Sequence, residues 1–391
     1  MTNSSRVHLV ATLAMGSLLA IAGCGVVPGT VSGAEPMFVY VGTYAPEDEP
    51  GIYIYRFDPA TGALSEVGAV AGIRAPSFQA LHPSGRFLYS VSESGDYAGQ
   101  RAGAICAYAI DPQTGGLTLL NCQSSQGPGP CHVCVDRAGR HVLAANYSGG
   151  SVVVLPLRPD GQLEAASSFE QHRGASVNPA RQEGPHAHCV NVDPAGRYVL
   201  AADLGTDQVM IYQYDADHGQ LIPNPALPAA TVTPGAGPRH FAFHPQGKWG
   251  YLINELNSTV TAFTYDAGNG SLTAIHDIST LPAGFTGKNS TAEIAVSPDG
   301  RFVYGSNRGH HSIAVFAVDP QSGRLTAVAH HSTLGEEPRN FAIDPTGTFL
   351  LAANQNSGSV VVFRIDRHSG KLAPTGHQVH LPTPVCVTFR E

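Results

Sequence analysis

Charged residues are scarce in this sequence, because lysine, arginine, aspartate and glutamate together make up only 13% of its 391 residues. A helix-rich protein usually exposes charged faces to solvent, so this composition argues against a mainly helical fold. The formal net charge of −8 is modest for the length and offers no basic surface, so we expect no nucleic-acid partner. Hydrophobic residues reach 42%, enough for a buried core, while 44 glycines and 29 prolines indicate many turns.

Apolar runs long enough to cross a bilayer as a helix are also missing. An apolar segment of 13 residues, 9–21, follows the positive charge of Arg6 and leads into the tetrapeptide I-A-G-C, which ends at Cys24. This ending resembles a bacterial lipobox, in which the cysteine becomes the lipidated first residue of the mature protein. An ordinary signal peptide and a buried core helix are the alternatives.

The N-terminus therefore predicts three segments. We expect a lipoprotein-type signal peptide at residues 1–23, a flexible tether at residues 24–36 and the folded domain at residues 37–391. The mature protein would then be exported and tethered on the extracytoplasmic side of a bacterial membrane, with its lipid anchor as the sole membrane contact.

From residue 37 onward the chain repeats two patterns. The first is an apolar strand, a turn with glycine and a second apolar strand ending in a polar pair, as in LHPSGRFLYSVSE (81–93), VDRAGRHVLAANY (135–147), VDPAGRYVLAADL (192–204), FHPQGKWGYLINE (243–255), VSPDGRFVYGSNR (296–308) and IDPTGTFLLAANQ (343–355). The second is a tight turn followed by leucine, found seven times, as DPATGAL (58–64), DPQTGGL (111–117), RPDGQL (158–163), DADHGQL (215–221), DAGNGSL (266–272), DPQSGRL (319–325) and DRHSGKL (366–372). Such turns between apolar runs are typical of β-hairpins.

Each period holds four short strands joined by tight turns, which is typical of one blade of a β-propeller. The seven turns of the second pattern predict seven blades. The run at residues 37–44 matches the second strand of a unit, since FVYVGTY aligns with FVYGSNR, and PVCVTFR at residues 384–390 would supply the missing strand. We therefore predict an all-β, seven-bladed propeller with four antiparallel strands per blade. The C-terminal strand would join the N-terminal blade and close the ring, which removes exposed sheet edges.

Two common propeller types are disfavoured. A WD-type blade carries a tryptophan, yet Trp249 is the only one in the chain. A Kelch-type blade carries a glycine doublet, and Gly115-Gly116 and Gly149-Gly150 are too few for seven blades.

Two positions of the repeat meet at one mouth of the central channel, because an antiparallel hairpin brings the start of its first strand to the end of its second. The first column, five residues before the turn-opening position, contains Ser77, Cys131, His188, Arg239, Ala292 and Arg339. The second column, at the end of the second strand, contains Glu93, Tyr147, Leu204, Glu255, Arg308 and Gln355. Binding groups of propellers gather at such a mouth because the innermost strands converge there.

Four residues of these columns lie on three consecutive blades and can face one pocket, namely His188, Arg239, Glu255 and Arg308. A carboxylate and a histidine can take and give protons. Two arginines can hold an anionic substrate and stabilise a developing oxyanion. Each residue alone could instead be a solvated charge at a loop end.

Six segments add a family resemblance to this pattern: PCHV (130–133), RQEGPHAH (181–188), GPRHFAFHP (237–245), NELNSTV (254–260), AEIAVSPDGRFVYGSNRGHHSIAVF (292–316) and PRNFAIDPTGTFLLAANQ (338–355). They are similar to segments of the seven-bladed lactonase family that contains the propeller-type bacterial 6-phosphogluconolactonase and the fungal carboxymuconate-lactonizing enzyme. The resemblance covers the chain from about residue 37 to its end. It implies a lactone hydrolase that needs no metal or organic cofactor.

The family's catalytic set falls on the same four residues. Glu255 would act as general base on water, and His188 would protonate the leaving ring oxygen. Arg239 and Arg308 would stabilise the tetrahedral oxyanion. The family motifs and the first column also imply a group of substrate-binding residues, namely His132, Arg181, Gln182, His186, Glu293 and Arg339. We expect a small lactone or anionic sugar as substrate and a monomeric protein.

Two other functions remain open. A cycloisomerase of the carboxymuconate-lactonizing type would run the chemistry in the ring-closing direction and would use the same arginines for a carboxylate substrate. A non-catalytic propeller anchored at the cell surface would bind a ligand or partner, although such a protein need not keep an acid–base pair.

The cysteines permit two further structures. Cys131 and Cys134 form a CxxC sequence, but no second CxxC exists and strand alternation directs the two thiols to opposite faces, so a metal site is disfavoured. Cys106 and Cys122 could form a disulfide across one hairpin, as an exported location permits.

Overall fold

The structure is a computed structural model that describes residues 37–390. The predicted signal peptide, the tether and the lipidation site at Cys24 lie outside the described residues. Within residues 37–390 no helix is long and apolar enough to cross a membrane.

The described part of the chain is built from 29 β-strands. In chain order they are β1 (Met37–Thr43), β2 (Ile52–Phe57), β3 (Leu64–Val70), β4 (Gln79–Leu81), β5 (Phe87–Ser92), β6 (Ala104–Ile110), β7 (Leu117–Ser124), β8 (Pro130–Val135), β9 (His141–Asn146), β10 (Ser151–Pro156), β11 (Ser168–Gln171), β12 (Ala187–Val192), β13 (Tyr198–Asp203), β14 (Gln208–Asp215), β15 (Gln220–Pro223), β16 (Ala229–Thr231), β17 (Pro238–Phe243), β18 (Trp249–Asn254), β19 (Thr259–Asp266), β20 (Ser271–Ser279), β21 (Ser290–Val296), β22 (Phe302–Arg308), β23 (Ser312–Val318), β24 (Leu325–Ser332), β25 (Pro338–Ile343), β26 (Phe349–Asn354), β27 (Ser359–Ile365), β28 (Leu372–His380) and β29 (Pro384–Arg390).

The strands form seven antiparallel sheets, numbered here as blades 1 to 7. Blade 1 has the order β29-β1-β2-β3, and blades 2 to 7 follow as β4–β7, β8–β11, β12–β16, β17–β20, β21–β24 and β25–β28. The innermost strands contact one another around the ring, including β29 with both β25 and β4. The predicted seven-bladed propeller, closed by the C-terminal strand in the N-terminal blade, is therefore confirmed.

Blade 4 departs from the simple four-strand pattern in its outermost strand. That strand is divided into β15 and β16, which pair with consecutive parts of β14. The interruption carries Pro225 and Pro228, and proline has no N–H to donate to a ladder.

The hydrophobic core lies between the blades. Seven buried clusters exist in residues 37–390, and each one joins two neighbouring blades around the ring. The second strand of a blade is buried along its whole length because both of its faces pack on a neighbouring blade, as in β5, β9 and β18. A single blade would leave both faces exposed, so the seven blades must depend on one another for stability.

The seven glycine turns of the second sequence pattern make contacts between neighbouring blades. At each of them the first or second residue of a second strand places an aromatic or imidazole ring on the glycine of the next blade, as Trp249 does on Gly323. The pairs are Phe38–Gly115, Phe87–Gly161, His141–Gly219, Tyr198–Gly270, Trp249–Gly323, Phe302–Gly370 and Phe349–Gly62. Each of these glycines also has a positive φ. Glycine is therefore required in this pattern for two reasons. It adopts the positive φ of the turn, and it has no Cβ to clash with the ring of the neighbouring blade.

Five innermost strands contain a β-bulge at the position of the first column. The pairing register shifts there in β8, β12, β17, β21 and β25. A bulge of this kind re-aims side chains, so two consecutive residues face the channel instead of one. Arg239 and His240 show the result, because their side chains contact each other inside the channel.

Candidate active site

A cavity of about 300 Å³ lies at the mouth of the channel where the two columns meet. Its walls are formed by Glu93, Cys131, Tyr147, Arg181, His188, Glu255, Ser290, Arg308 and Arg339. Seven of these nine residues belong to the two columns, and the other two come from the 172–186 loop and from the start of β21. The two columns of the repeat thus supply most of the wall of this cavity.

Glu255 lies at the centre of an arginine cluster. Its Oε1 accepts a hydrogen bond of 2.7 Å from Arg181, while its Oε2 is 3.1 Å from Nε of Arg239 and 2.9 Å from Nη2 of Arg308. Glu255 and Arg239 are buried, whereas the side chain of Arg181 is 41% exposed. The cluster therefore reaches from the interior to the solvent side of the pocket.

The arginines determine the ionisation of Glu255. Burial alone raises the pKa of this carboxyl, but the charges of Arg308, Arg239 and Arg181 outweigh burial and lower the pKa to about 2. Glu255 is consequently a carboxylate throughout the neutral range. Three guanidinium groups bound to this carboxylate weaken it as a base, and its expected general-base role stays a prediction.

Arg239 is held from three sides. Its Nη1 donates to the Ala292 carbonyl at 2.7 Å and to Nε2 of His240 at 3.2 Å, in addition to the bond with Glu255. Because a guanidinium only donates, Nε2 of His240 must accept, and Nδ1–H of His240 donates to Glu293 Oε1 at 3.0 Å. Burial and the charges of neighbouring arginines lower the pKa of Arg239 to about 10, so it stays cationic at neutral pH.

Two arginines of the cavity have guanidinium N–H groups without a hydrogen-bond partner among the described residues. Nη2 of Arg308 donates to the Thr291 carbonyl at 2.8 Å, but its buried Nε has no partner within residues 37–390. Arg339 lies over the Tyr44 ring, 5.3 Å from its centroid, and makes no hydrogen bond or ion pair with any residue that the structure describes. Such guanidinium groups are suited to bind an anion or a developing oxyanion.

His188 contacts the cavity as a neutral imidazole. The residue is 4% exposed, and its Nδ1 lies 3.7 Å from the Cys131 thiol. Burial, together with the charges of Arg239 and Arg339 and the nearby His240, lowers the pKa of His188 well below its ordinary value. An imidazole that is neutral at neutral pH is a poor proton donor, and the acid role expected for His188 stays a prediction.

Glu93 and Tyr147 line the cavity although the sequence analysis did not select them as site residues. Tyr147 accepts a hydrogen bond of 3.1 Å from Arg181, and Ser77 donates one to Glu93. Burial raises the pKa of Glu93, partly offset by Arg339 and by the Ser77 hydroxyl. Both residues occupy the second column, so the same repeat register would have found them if every blade had been considered.

His132 and Glu293 lie in a second layer beneath the cavity. The His132 ring packs between Phe78 at 4.3 Å and His240 at 5.2 Å, and Glu293 binds His240 and Asn340. Burial raises the pKa of Glu293 to about 7. These residues support the cavity from below and neither forms its wall, and their expected substrate-binding role stays a prediction.

Gln182 and His186 are also absent from the cavity wall. Gln182 is fully buried and donates to the Leu204 carbonyl at 2.9 Å, which fixes the 172–186 loop to blade 4. His186 stacks on Tyr147 at a centroid distance of 4.6 Å and bonds to the Tyr147 carbonyl. Both residues therefore position their neighbours, and their expected contact with substrate stays a prediction. Of the six expected substrate-binding residues, Arg181 and Arg339 line the cavity.

Among the cysteines of residues 37–390, Cys106 and Cys122 form a disulfide and face each other across β6 and β7. The pairing suggested by the sequence is thus confirmed. Cys131 packs against His188 and Cys134 is partly buried in another environment, and no three His, Cys, Asp or Glu residues among those described lie close enough to hold a metal ion.

The fold and the cavity can now be compared with known proteins. The profile of the family described as "Lactonase, 7-bladed beta-propeller" matches residues 38–389. The chain belongs to this lactonase family. Lactonases are lactone hydrolases, so membership makes the chain an enzyme of the carboxylic-ester hydrolase class, in agreement with the resemblance seen in the sequence.

Individual relatives in this lactonase family are similar over most of their length. The 6-phosphogluconolactonase of Bacillus subtilis is 42% identical over 350 residues, which are 90% of this chain and 97% of the relative. The 6-phosphogluconolactonase of Formosa agariphila is 36% identical over 307 residues, 78% of this chain and 85% of the relative. The structure of the periplasmic gluconolactonase of Pseudomonas aeruginosa has a TM-score of 0.85 and 36% identity, and the match covers 91% of this chain and 99% of that one.

Proposed function

We propose that this lactonase hydrolyses a small anionic sugar lactone at the mouth of its channel. The observation that carries the proposal is the cavity itself, whose wall contains Arg308, bound to Glu255, and Arg339, which has no ion pair with any described residue. Arginines outnumber carboxylates around it, so the site favours a substrate with negative charge. Relatives named 6-phosphogluconolactonase and periplasmic gluconolactonase support a sugar lactone as the substrate class.

The roles of the arginines follow from their contacts. Arg308 and Arg339 would receive the carbonyl oxygen of the lactone, which becomes an oxyanion when water attacks. Glu255, ionised and bonded to three guanidinium groups, would hold Arg308 and Arg239 in fixed orientations before substrate binds. Neutral His188 would offer a hydrogen-bonding group to the substrate without adding charge.

A substrate panel tests the reaction class. The full-length protein is incubated with glucono-1,5-lactone, its 6-phosphate and a carboxymuconate, and proton release is followed at fixed pH after subtraction of the spontaneous rate. We expect accelerated hydrolysis of at least one of the two lactones, with one proton released per lactone opened. Turnover of the muconate alone would replace the hydrolase by a cycloisomerase, and failure of all three compounds would leave a binding propeller.

We also propose that the protein is exported and lipid-anchored at Cys24. The lipobox-like sequence supports this location, and the Cys106–Cys122 disulfide supports it independently because such bonds persist in oxidising compartments. The relative described as periplasmic has the same fold over 91% of this chain.

Fractionation of cells tests the location. The wild-type protein should be recovered with membranes and accept a labelled fatty acid, whereas Cys24→Ala should lose the label and leave the membrane fraction. Recovery of unlabelled wild-type protein in the cytoplasm would contradict the proposal.

A further inference from the structure

Neither Glu255 nor His188 is well suited to move both protons of the reaction. Glu255 is ionised but weakly basic, and His188 is neutral and a poor proton donor near neutral pH. Opening a lactone nevertheless requires that a proton leave the attacking water and that another reach the ring oxygen. A second carboxyl in the cavity wall can do both.

Glu93 is that carboxyl. It follows β5 directly and occupies in blade 2 the same repeat position that Glu255 occupies in blade 5. In a ring of seven, blade 2 lies across the channel from blades 5 and 6, so Glu93 faces the arginine cluster from the opposite wall of the cavity. It also lines the smaller cavity directly beneath, beside Ser77, Arg239 and Arg339.

The contacts of Glu93 differ from those of Glu255 in a way that matters for catalysis. Glu255 is bonded by three arginines, whereas Glu93 forms no ion pair with any described residue and receives a hydrogen bond from the neutral hydroxyl of Ser77. One carboxyl is therefore fixed within a charge cluster and the other is left free to exchange a proton. Two carboxyl groups in contrasting environments are typical of a division of labour at an active site.

On this geometry, and on the proposed lactonase function, we propose that Glu93 is the catalytic acid–base residue of the reaction. Its carboxylate takes a proton from water as the water oxygen bonds to the carbonyl carbon, and the carbonyl oxygen becomes an oxyanion beside Arg308 and Arg339. The bond between that carbon and the ring oxygen then breaks, and the Glu93 carboxyl returns the proton to the ring oxygen. The product is a hydroxy acid, whose own carboxyl releases one proton to solvent, and Glu93 is regenerated as a carboxylate.

The groups that face Glu93 come from its own blade and from four others. Arg339 and Arg239 favour its charged form, Tyr44 and Ser77 donate toward it, and Cys131 lies close by as a thiol whose pKa burial raises. Burial raises the pKa of Glu93 by more than these groups lower it, so the pKa lies above the ordinary carboxyl value. Because the carboxylate is the form that accepts the proton from water, kcat/KM should rise with pH as Glu93 ionises.

Three variants test the proposal on the full-length protein with the lactone that the wild type turns over. Glu93→Gln should lower kcat by on the order of 10² to 10⁴, with little change in KM, and should abolish the rise of kcat/KM with pH. Ser77→Ala removes a hydrogen bond that favours the charged form, so the rise should move to higher pH while Glu93 remains in place. Glu164→Gln makes the same chemical change at an exposed ion pair and should behave like the wild type.

Thermal melting of each variant shows whether it is folded, and the Ser77→Ala profile remains informative if Glu93→Gln does not fold. Wild-type kcat and an unchanged pH profile in Glu93→Gln would overturn the role of Glu93. So would a Ser77→Ala profile that does not move. Neither result would affect the lactonase proposal, which fails only if the wild-type protein itself opens no lactone.

Discussion

Glu255 connects the chemistry of the site to the stability of the protein. Its folded-state pKa of about 2 lies below the value of about 4.3 that a glutamate has in an unfolded chain. A depressed pKa contributes stability that is present above the unfolded value and is lost as pH falls toward the folded value. Glu255 should therefore stabilise the propeller at neutral pH and lose this contribution between about pH 4.3 and pH 2.

The variant Glu255→Gln tests this linkage. We expect it to lower the free energy of unfolding by about 3 kcal/mol at pH 7, because it leaves buried Arg239 and Arg308 without their counter-charge. The deficit relative to the wild type should shrink as pH is lowered from 5 toward 2. Urea unfolding at several pH values measures it, with Glu164→Gln as the exposed control. A deficit that does not change with pH would contradict the arginine-stabilised carboxylate.

The sequence predicted the residues of the pocket better than their roles. The repeat register placed His188, Arg239, Glu255 and Arg308 together, because equivalent positions on a propeller point at one mouth. It could not show that three arginines would bind a single carboxylate and suppress its basicity, since that depends on side-chain contacts between blades. Glu93 was visible in the second column but lies on a blade distant in sequence from the other four.

The strands and their turns were also only partly predictable from the sequence. Hairpins, turn glycines and the closing strand could be read from the sequence because each depends on local turn chemistry and apolar runs. The bulges could not, because a register shift in an innermost strand leaves no mark in the pattern of apolar residues. His132 and Glu293 were expected at the mouth because they lie in family motifs, and neither lines the cavity.

The turn glycines give a test at the scale of elements. A Cβ at Gly323 would lie 2.4 Å from Cδ1 of Trp249, and the residue has a φ of +69°. Gly247 has a similar φ of +66°, but there a Cβ would come no closer than 3.8 Å to any neighbour. Gly323→Ala thus combines backbone strain with a clash, whereas Gly247→Ala brings backbone strain alone.

We expect Gly323→Ala to lower the free energy of unfolding by about 3 kcal/mol and Gly247→Ala by about 1 kcal/mol, as judged by urea unfolding. The difference between the two variants isolates the contact between blades 5 and 6. Equal effects would show that the glycine is needed for the turn alone.

The whole molecule depends on closure of its ring. The strand β29 is the innermost strand of blade 1, and it contacts both β25 of blade 7 and β4 of blade 2. Without it, β1 would present an unpaired edge, and apolar faces of blades 2 and 7 would be exposed.

Ending the chain at His380 tests closure. The truncated protein should aggregate or elute as large species in size-exclusion chromatography, and should lack a cooperative thermal transition. A soluble, cooperatively melting truncated protein would show that the ring closes without β29.

We propose that the arginine-lined mouth of this propeller is the active site of a lactone hydrolase. The most direct test is kcat/KM for lactone hydrolysis by the wild type and by Arg308→Ala, with Arg158→Ala at an exposed ion pair as control. We expect hydrolysis well above the spontaneous rate by the wild type and the control, and a loss of kcat/KM on the order of 10² in Arg308→Ala through removal of an oxyanion donor. A folded Arg308→Ala variant with wild-type kcat/KM would contradict it.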